Sequence, residues 1–462
     1  MKKRPNIIFF FTDDQRFDTI RALGNNQIHT PNIDKLVERG TVFLNAYIMG
    51  GTCGAVCMPS RAMVHTGRSL FHIQGEGQDI DPAHVMLGET LRRAGYVTHG
   101  IGKWHNERKA YARSFTSGAE IFFGGMSDHW NVPLHDFDPT ELYESRLKYC
   151  PDPFHSNEVK ERDCNHMHSG KHSTDIFCDA AVEFLKKHKA TKPFFMYFAF
   201  MAPHDPRTMP KQYLDMYDPA KIDLPENFMP IHPFDNGHLD GRDENLEKKP
   251  RQPDAIRKHI AEYYAMITHL DAAIGRIMQV LEQAGQLDNT IIVFAGDNGL
   301  ALGQHGLMGK QNVYDHSVHV PLIFAGPGVP KGKKTEAFAY LLDIYPTLCE
   351  LIGEKIPPSV EGKSLVPVMK DDSQVRDHLY YAFMNIHRSI RDKRYKLNEY
   401  VVKGQRTTQL FDMQDDPKET KNLADEPAHK DILQKLRKKL IEMRMELDDN
   451  RPKEADFWRD YH

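Results

Sequence analysis

The sequence has no long apolar run and no excess of charge of one sign. In 462 residues no stretch approaches the roughly 20 consecutive apolar residues that span a membrane. Sixty basic and 64 acidic side chains leave a formal net charge of −4, which gives no overall electrostatic attraction to nucleic acid or to an anionic membrane. The sequence therefore predicts no membrane span and no nucleic-acid partner, and an anionic ligand must be bound by local positive charge.

Cysteine is scarce, and the first residues lack an export signal. The six cysteines are scattered without a CxxC pair, which argues against a disulfide framework and favours reduced thiols. Only residues 7–11 are apolar before two aspartates follow, which is too short for a signal peptide. We expect the chain as given to be cytoplasmic, whereas a signal removed ahead of residue 1 would make the protein periplasmic or secreted.

The chain does contain the alternation that is typical of a large α/β domain. Helical patterns separate apolar runs of strand length, which predicts an α/β sandwich. The clearest helix covers residues 256–284, where apolar side chains recur every three or four positions. The runs that we predict as strands are residues 6–11, 41–48, 96–101, 194–200, 290–295 and 320–324.

The character of the sequence changes after residue 365. Short apolar runs precede an amphipathic helix at residues 431–447, which predicts a small C-terminal α+β domain. Two earlier segments, residues 115–164 and 204–254, are rich in Asp, Pro, His and Asn and are longer than ordinary connections. Long loops in compact domains are usually functional or mobile. Trp130 and Arg207 are examples of side chains there that are suited to holding a sugar.

Oxygen ligands follow two of the predicted strands. Asp13 and Asp14 follow the first run, and Asp297 and Asn298 follow the run at residues 290–295. In open α/β sheets, ligands bind beyond the carboxyl ends of strands, and these oxygens suit Ca²⁺ or Mg²⁺. Either motif taken alone fits a helix cap or a turn equally well.

Basic and imidazole groups follow other strands toward the same edge. Lys103 and His105 follow one run, and His204 follows another. A further group, His305 and Lys310, lies downstream of Asn298. Single groups of this kind are often solvated loop residues, but together they supply positive charge beside the acids.

One short segment carries a specific resemblance. Cys57, Pro59, Ser60 and Arg61 are followed, after four further residues, by Thr66, Gly67 and Arg68. This pattern resembles the signature of the type I, formylglycine-dependent sulfatase family of the alkaline phosphatase superfamily. The strand-end motifs described above occur in the family's order, and so the resemblance covers most of the chain.

The resemblance implies a fold and a division of the chain. The fold is an alkaline-phosphatase-like α/β sandwich around a large mixed, mostly parallel sheet, with a small C-terminal α+β subdomain. Residues 1–365 would form the catalytic sulfatase domain, and residues 366–462 the subdomain with a short antiparallel sheet and a helix.

The resemblance also implies a site. Cys57 would be converted to formylglycine (3-oxoalanine) by a maturation enzyme, and one Ca²⁺, in preference to Mg²⁺, would be bound. The implied metal ligands are Asp13, Asp14, Cys57, Asp297 and Asn298. The implied catalytic residues are Cys57, Arg61, Lys103, His105, His204 and Lys310. The implied substrate-binding residues are Lys103, His204, His305 and Lys310.

The expected reaction is hydrolysis of a sulfate monoester, most naturally on a sulfated carbohydrate. The same superfamily contains phosphonate monoester and phosphodiester hydrolases, and aryl and choline sulfatases, and these remain alternatives because a fold does not fix the ester. His204 would protonate the leaving alcohol, and His105 would take a proton from the modified Cys57. The sequence leaves open the position of the sulfate, endo or exo action, and the oligomeric state.

Overall fold

The computed structural model describes residues 4–189, 191–450, 455–459 and 461. In chain order the strands are β1 Asn6–Thr12, β2 Gly40–Tyr47, β3 Gly50–Gly51, β4 Val97–Lys103, β5 Ser117–Phe122, β6 Arg146–Tyr149, β7 Lys160–Asp163, β8 Phe194–Ala199, β9 Thr290–Gly296, β10 Leu322–Ala325, β11 Lys333–Tyr340, β12 Leu379–Phe383, β13 His387–Arg391, β14 Tyr395–Val402 and β15 Gln405–Asp412.

The α-helices alternate with these strands over the first part of the chain. They are α1 Pro31–Arg39, α2 Cys57–Thr66, α3 Leu87–Arg93, α4 Arg108–Ser114, α5 Ser173–Lys187, α6 Lys211–Leu214, α7 Pro253–Gln283, α8 Asp315–Val318, α9 Ile344–Ile352, α10 Val366–Asp371, α11 Lys430–Glu446 and α12 Ala455–Trp458. None of the helices in the described ranges is long and apolar enough to cross a membrane.

Eight strands form the central sheet, in the order β11-β2-β10-β9-β1-β8-β4-β5. Neighbouring strands run parallel except at β10, which pairs antiparallel with both β9 and β2. The sheet is therefore mixed and mostly parallel, as expected. Its central strands are buried along their whole length, because parallel strands are covered on both faces.

Alternate side chains of the central strands enter two separate cores. Phe9 and Phe11 of β1 belong to one apolar cluster, and Ile8 and Phe10 belong to the other. The second core includes the buried face of α7, which follows the predicted spacing of three or four residues. Successive side chains of a strand point to opposite faces of the sheet, and so the sheet forms the middle layer of a sandwich.

A smaller five-stranded sheet has the order β15-β14-β13-β12-β3. It is antiparallel except where β12 pairs in parallel with β3. Gly50 of β3 has φ +92°, and a Cβ there would lie 2.0 Å from the Ala382 carbonyl oxygen. Only glycine permits that approach. The C-terminal sheet is thus joined to the segment that leads directly into α2 and Cys57.

The sequence predictions agree with this architecture, with local corrections. All six predicted runs overlap strands of the central sheet, and the helix predicted at residues 431–447 is α11. The last run was placed too early: β10 begins at Leu322, after Pro321, which lacks the N–H that a sheet interior needs. Strands β5, β11 and β15 were not predicted, and residues 115–164 contain β5 and the hairpin β6-β7.

The cysteines agree with the expectation of reduced thiols. All six lie in the described part of the chain, and none is in a disulfide. The division at residue 365 remains a prediction.

Candidate active site

Neighbouring strands of the central sheet bring the predicted oxygen ligands to one edge. Asp13 and Asp14 follow β1, and Asp297 and Asn298 follow β9. Because β1 and β9 are adjacent and parallel, their carboxyl ends coincide. The backbone N–H of Asp14 donates to Asp297 Oδ1 at 3.1 Å, and Asn298 Nδ2 donates to Asp14 Oδ1 at 2.7 Å. The four residues form one buried group.

Buried cations neutralise these carboxylates. The side chains of Asp13, Asp297 and Arg61 are almost completely excluded from solvent. An unpaired charge in such a buried place is very costly. The ion pairs are Lys103 Nζ to Asp13 Oδ2 at 2.5 Å, Arg61 NH2 to Asp297 Oδ2 at 2.7 Å and Lys310 Nζ to Asp14 Oδ1 at 2.5 Å.

Cys57 is the first residue of α2 and is 2% exposed. His105 Nδ1 lies 3.2 Å from its Sγ. Lys103 Nζ lies 3.7 Å and Lys310 Nζ 4.0 Å from the same atom. The thiol thus lies where two ammonium groups, an imidazole and a helix N-terminus meet, which is an arrangement suited to binding an anion.

Burial and neighbouring charges shift the protonation of these groups. Burial raises the pKa of the Cys57 thiol to about 11. Burial and the charge of Asp13 raise the pKa of Asp297 to about 7. Burial also opposes ionisation of Asp13, but the ammonium of Lys103 holds the pKa of that carboxyl well below its usual range. Burial, with Lys103 nearby, holds the pKa of His105 well below its ordinary value.

Two oxygens of this group have no hydrogen-bond donor among the described residues. They are Asp13 Oδ1 and Asn298 Oδ1, both buried, and an unsatisfied buried acceptor costs about 1–3 kcal/mol. Ligand atoms of Asp13, Cys57 and Asp297 lie within 4.8 Å of one another. Carboxylate and amide oxygens are the ligands that Ca²⁺ takes in proteins. The residues present therefore fit the predicted Ca²⁺.

Arg61 and His204 also lie in this group. The Arg61 guanidinium donates to Asp297, to the Lys103 carbonyl oxygen at 3.0 Å and to the Tyr197 hydroxyl at 3.2 Å. These contacts favour a role in positioning Asp297 and Lys103. His204 Nε2 lies 3.7 Å from Asp14 Oδ2.

Asp205 orients the His204 ring, and Arg242 in turn holds Asp205. His204 Nδ1 lies 2.9 Å from the Asp205 carbonyl oxygen, and Arg242 NH1 donates to Asp205 Oδ1 at 2.7 Å. His129 Nε2 lies 3.0 Å from the His204 carbonyl oxygen. With Nδ1 occupied, Nε2 is the nitrogen directed toward Asp14.

The structure does not bring His305 into this group. Its ring stacks on Tyr314 with centroids 4.0 Å apart, and its Nε2 lies 3.0 Å from the Glu419 carbonyl oxygen. No contact within the described ranges connects it with Cys57. Its substrate-binding role remains a prediction. Arg207 NH2 lies 2.7 Å from His259 Nδ1, whereas Arg207 Nε and NH1 are buried without a hydrogen-bond partner among the described residues.

Sequence reasoning missed the loop residues that hold the two lysines. The Gly125 carbonyl oxygen accepts from Lys103 Nζ at 2.5 Å. The buried Glu244 carboxylate accepts the backbone N–H of Met308 at 3.0 Å and of Gly309 at 2.9 Å, directly before Lys310. The only sequence signal for Gly125 and Glu244 is the unusual length of the two segments that contain them, residues 115–164 and 204–254.

Replacing Glu244 by alanine is expected to lower the free energy of unfolding by about 3–5 kcal/mol, because it leaves a buried partner charge unpaired. Arg251 NH2 lies 2.6 Å from Glu244, and the Arg251 side chain is fully buried. The turn before Lys310 also loses its two acceptors, so kcat/KM should fall. Urea unfolding and steady-state kinetics measure the two effects.

The exposed glutamate Glu350 on α9 offers a control, and Glu350→Ala should change neither quantity. Glu244→Gln keeps one oxygen acceptor for the turn and should recover part of kcat/KM but less of the stability. Wild-type stability and turnover in Glu244→Ala would contradict the positioning role.

Comparison with known proteins identifies the family. The sequence model of the sulfatase family matches residues 5–354, more than half of the chain. The chain belongs to the sulfatase family. A model for the C-terminal part of N-sulphoglucosamine sulphohydrolase also matches this sulfatase, at residues 303–446.

Relatives match the sulfatase over nearly its whole length. It is 31% identical over 474 residues to an arylsulfatase of Clostridium perfringens, covering 95% of this chain and 94% of the relative. It is 28% identical over 530 residues to an N-acetylglucosamine-6-O-sulfatase of Bacteroides thetaiotaomicron, covering 98% and 88%. The sulfatase is therefore a sulfuric ester hydrolase, as the signature at Cys57 predicts.

The fold is confirmed by solved structures. A protein in complex with its substrate D-glucosamine-2-N,6-O-disulfate superimposes with a TM-score of 0.78 at 24% identity, covering 98% of this chain and 100% of that one. This likeness confirms the alkaline-phosphatase-like fold of the sulfatase.

Proposed function

We propose that this sulfatase hydrolyses sulfate monoesters of a carbohydrate, with Cys57 converted to formylglycine as nucleophile and one Ca²⁺ bound beside it. The observation that carries the proposal is the buried group of Asp13, Asp297 and Cys57, in which Asp13 Oδ1 and Asn298 Oδ1 accept no hydrogen bond from the described residues. The signature around Cys57 supports the modification, which requires a maturation enzyme as partner.

Two groups would be added to the chain as described. Asp13, Asp14, Asp297, Asn298 and the modified Cys57 would hold the Ca²⁺, which would polarise a sulfate oxygen and lower the pKa of a bound hydroxyl. Hydrated formylglycine supplies two hydroxyls at the position of the thiol, one for attack on sulfur and one for release of sulfate.

The chain's own residues account for binding the anion. Lys103 Nζ and Lys310 Nζ lie 3.7 and 4.0 Å from Cys57 Sγ, so a sulfate that reacts at this position contacts both ammonium groups. Fixed positive charge in a buried site stabilises the charge that develops on the sulfate oxygens. Arg61 keeps Asp297 and the Lys103 carbonyl in place.

The two histidines account for proton transfer. His105 Nδ1, 3.2 Å from Cys57 Sγ, is within hydrogen-bond reach of the group that reacts and accepts its proton. The Nδ1 contact of His204 with the Asp205 carbonyl oxygen orients the ring, and we assign His204 Nε2 as the atom from which the leaving alcohol oxygen would receive its proton.

Replacing His105 by alanine is expected to lower kcat by about 10²–10⁴-fold, the usual contribution of a positioned acid or base. KM should change little, because the ammonium groups that bind the sulfate remain. Steady-state kinetics with a soluble sulfate ester measure both constants.

His155, an exposed imidazole paired with Asp152 at 2.9 Å, provides a matched control. His155→Ala should keep the wild-type kcat. A His105→Ala enzyme that keeps kcat within about threefold would contradict the assigned proton transfer, since such residues contribute far more.

A carbohydrate substrate is supported by the relatives. One is named for N-acetylglucosamine 6-O-sulfate, and one solved relative holds a glucosamine disulfate as its substrate. The long polar loops supply Gly125, Asp205 and Arg242 to the site, and they are rich in hydrogen-bonding side chains suited to a sugar.

Two measurements test the proposal. The tryptic peptide of residues 40–61, from protein made in its native host, should be about 18 Da lighter than the cysteine form, because CH₂SH is replaced by CHO.

The second measurement compares the turnover of four substrates, and turnover should be fastest with the sulfated sugar. The four are sulfated glucosamine, p-nitrophenyl sulfate, p-nitrophenyl phosphate and a phenylphosphonate monoester. An intact cysteine in an active preparation would overturn the nucleophile, and faster phosphonate turnover would overturn the substrate class.

A further inference from the structure

A second cluster of metal-ligating side chains lies apart from the Asp13 group. It consists of Glu120, His166 and His168, whose ligand atoms lie within 4.8 Å of one another. His166 Nε2 lies 2.9 Å from Glu120 Oε2, and His168 Nε2 lies 3.0 Å from Glu120 Oε1. Two imidazole nitrogens thus converge on one carboxylate.

The backbone directs the three side chains to one place. His166 pairs in an isolated antiparallel bridge with Leu134. His168, two residues further along the chain, lies beside His166, with ring centroids 5.1 Å apart.

Glu120 reaches the histidines through a bulge in β5. The register with β4 shifts so that Ala119 pairs with Ile101 and Ile121 with Gly102. Glu120 is the extra residue, and its φ is +52°. β-bulges change the direction of a side chain at a sheet edge, and this one directs Glu120 out of the ladder toward the histidines.

A second carboxylate lies behind the cluster. Asp136 Oδ1 is 3.8 Å from Nδ1 of His166, on the side of the ring opposite Nε2. Metal-ligating histidines commonly have a carboxylate near their other nitrogen, which fixes the ring and increases its basicity. The cluster is accessible to an ion in solution, since its side chains are between 19% and 42% exposed.

We propose that Glu120, His166 and His168 bind a borderline transition-metal ion such as Zn²⁺, with water completing the coordination. Two imidazoles and one carboxylate form the three-ligand set of many zinc sites. Imidazole nitrogen favours Zn²⁺, Ni²⁺ or Co²⁺ over Ca²⁺, so this site differs in preference from the oxygen-rich group at Asp13.

The ion would join β5 to the segment that precedes α5. The chain between them supplies the Gly125 carbonyl oxygen to Lys103 and His129 to the His204 carbonyl. The metal therefore closes the base of a loop that forms part of the candidate active site. Its expected role is structural: an ion that binds the folded chain raises the melting temperature.

Calorimetric titration of the full chain with Zn²⁺, in buffer with excess Ca²⁺, tests the proposal. We expect one saturable site in the wild type and in Cys57→Ala. Affinity should fall at least about tenfold in His166→Ala, in His168→Ala and in Glu120→Gln, since even outer-shell changes cost this much. His155→Ala should bind Zn²⁺ like the wild type.

Loss of Zn²⁺ affinity is informative only in variants that are folded. Circular dichroism and a thermal melt in the presence of chelator establish that each variant is folded. Bound Co²⁺ should show d–d absorption without thiolate charge transfer, because the ligands are nitrogen and oxygen. The proposal is overturned by the absence of saturable Zn²⁺ binding, by binding that survives His166→Ala but not Cys57→Ala, or by a thiolate band with Co²⁺.

Discussion

Replacing Cys57 by alanine is expected to abolish turnover of sulfate esters, with a loss on the order of 10⁶-fold, as for a serine protease that loses its nucleophile. His105, Lys103 and Lys310 converge on Cys57 Sγ, so the substitution removes the atom position at which the reaction would occur. The fold should survive, because alanine suits the first turn of α2. Kinetics and a thermal melt measure the two effects.

Two further variants make the result specific. Cys57→Ser places a simple hydroxyl at the same position and should also be inactive, because the reaction requires the modified residue. Cys150→Ser changes a cysteine on the hairpin loop whose Sγ donates to the Ser156 carbonyl oxygen, and it should keep wild-type turnover. Substantial activity in Cys57→Ala or Cys57→Ser would contradict the proposed nucleophile.

Removal of Ca²⁺ by a chelator is expected to lower turnover by at least about 10²-fold, and restoring Ca²⁺ should recover it. The buried carboxylates of Asp13 and Asp297 lie close together, and a bound cation satisfies the oxygens that lack donors. Ca²⁺ at 100 times its dissociation constant should add about 2.7 kcal/mol to the free energy of unfolding. Melting curves with and without Ca²⁺ measure this.

Asp13→Asn tests the assignment of the ligand. It should lose the Ca²⁺-dependent rise in melting temperature, whatever its melting temperature in chelator. Asp18→Asn, on the same segment but with a side chain that is 41% exposed and paired with Arg16, should keep that rise. An unchanged response to Ca²⁺ in Asp13→Asn would remove Asp13 from the metal site.

Much of the fold could be predicted because the central strands are buried on both faces. Strands β1, β8 and β9 are continuous apolar runs, which a sequence displays directly. The edge strands β5 and β11 are only partly buried and contain polar residues. Their strand character comes from pairing with β4 and β2, and a local pattern does not contain that information.

The candidate site also contains features that the sequence predicts and features that only the packing of the chain determines. The strand pattern implies only that Asp13 and Asp297 lie at the same edge of the sheet, and the adjacency of the parallel strands β1 and β9 then brings them together. The pairing of Arg61 with Asp297, the stacking of His305 on Tyr314 and the support of the turn before Lys310 by Glu244 depend on how long loops pack.

The sequence by itself determined the sandwich architecture, the sulfatase signature at Cys57 and the set of charged groups at the strand ends, because each is encoded by residues close together in the chain. Only the tertiary structure decided which cation pairs with which carboxylate. It alone brought Glu120 to His166 and His168. These contacts join segments tens of residues apart, whose meeting is fixed by strand order and loop packing.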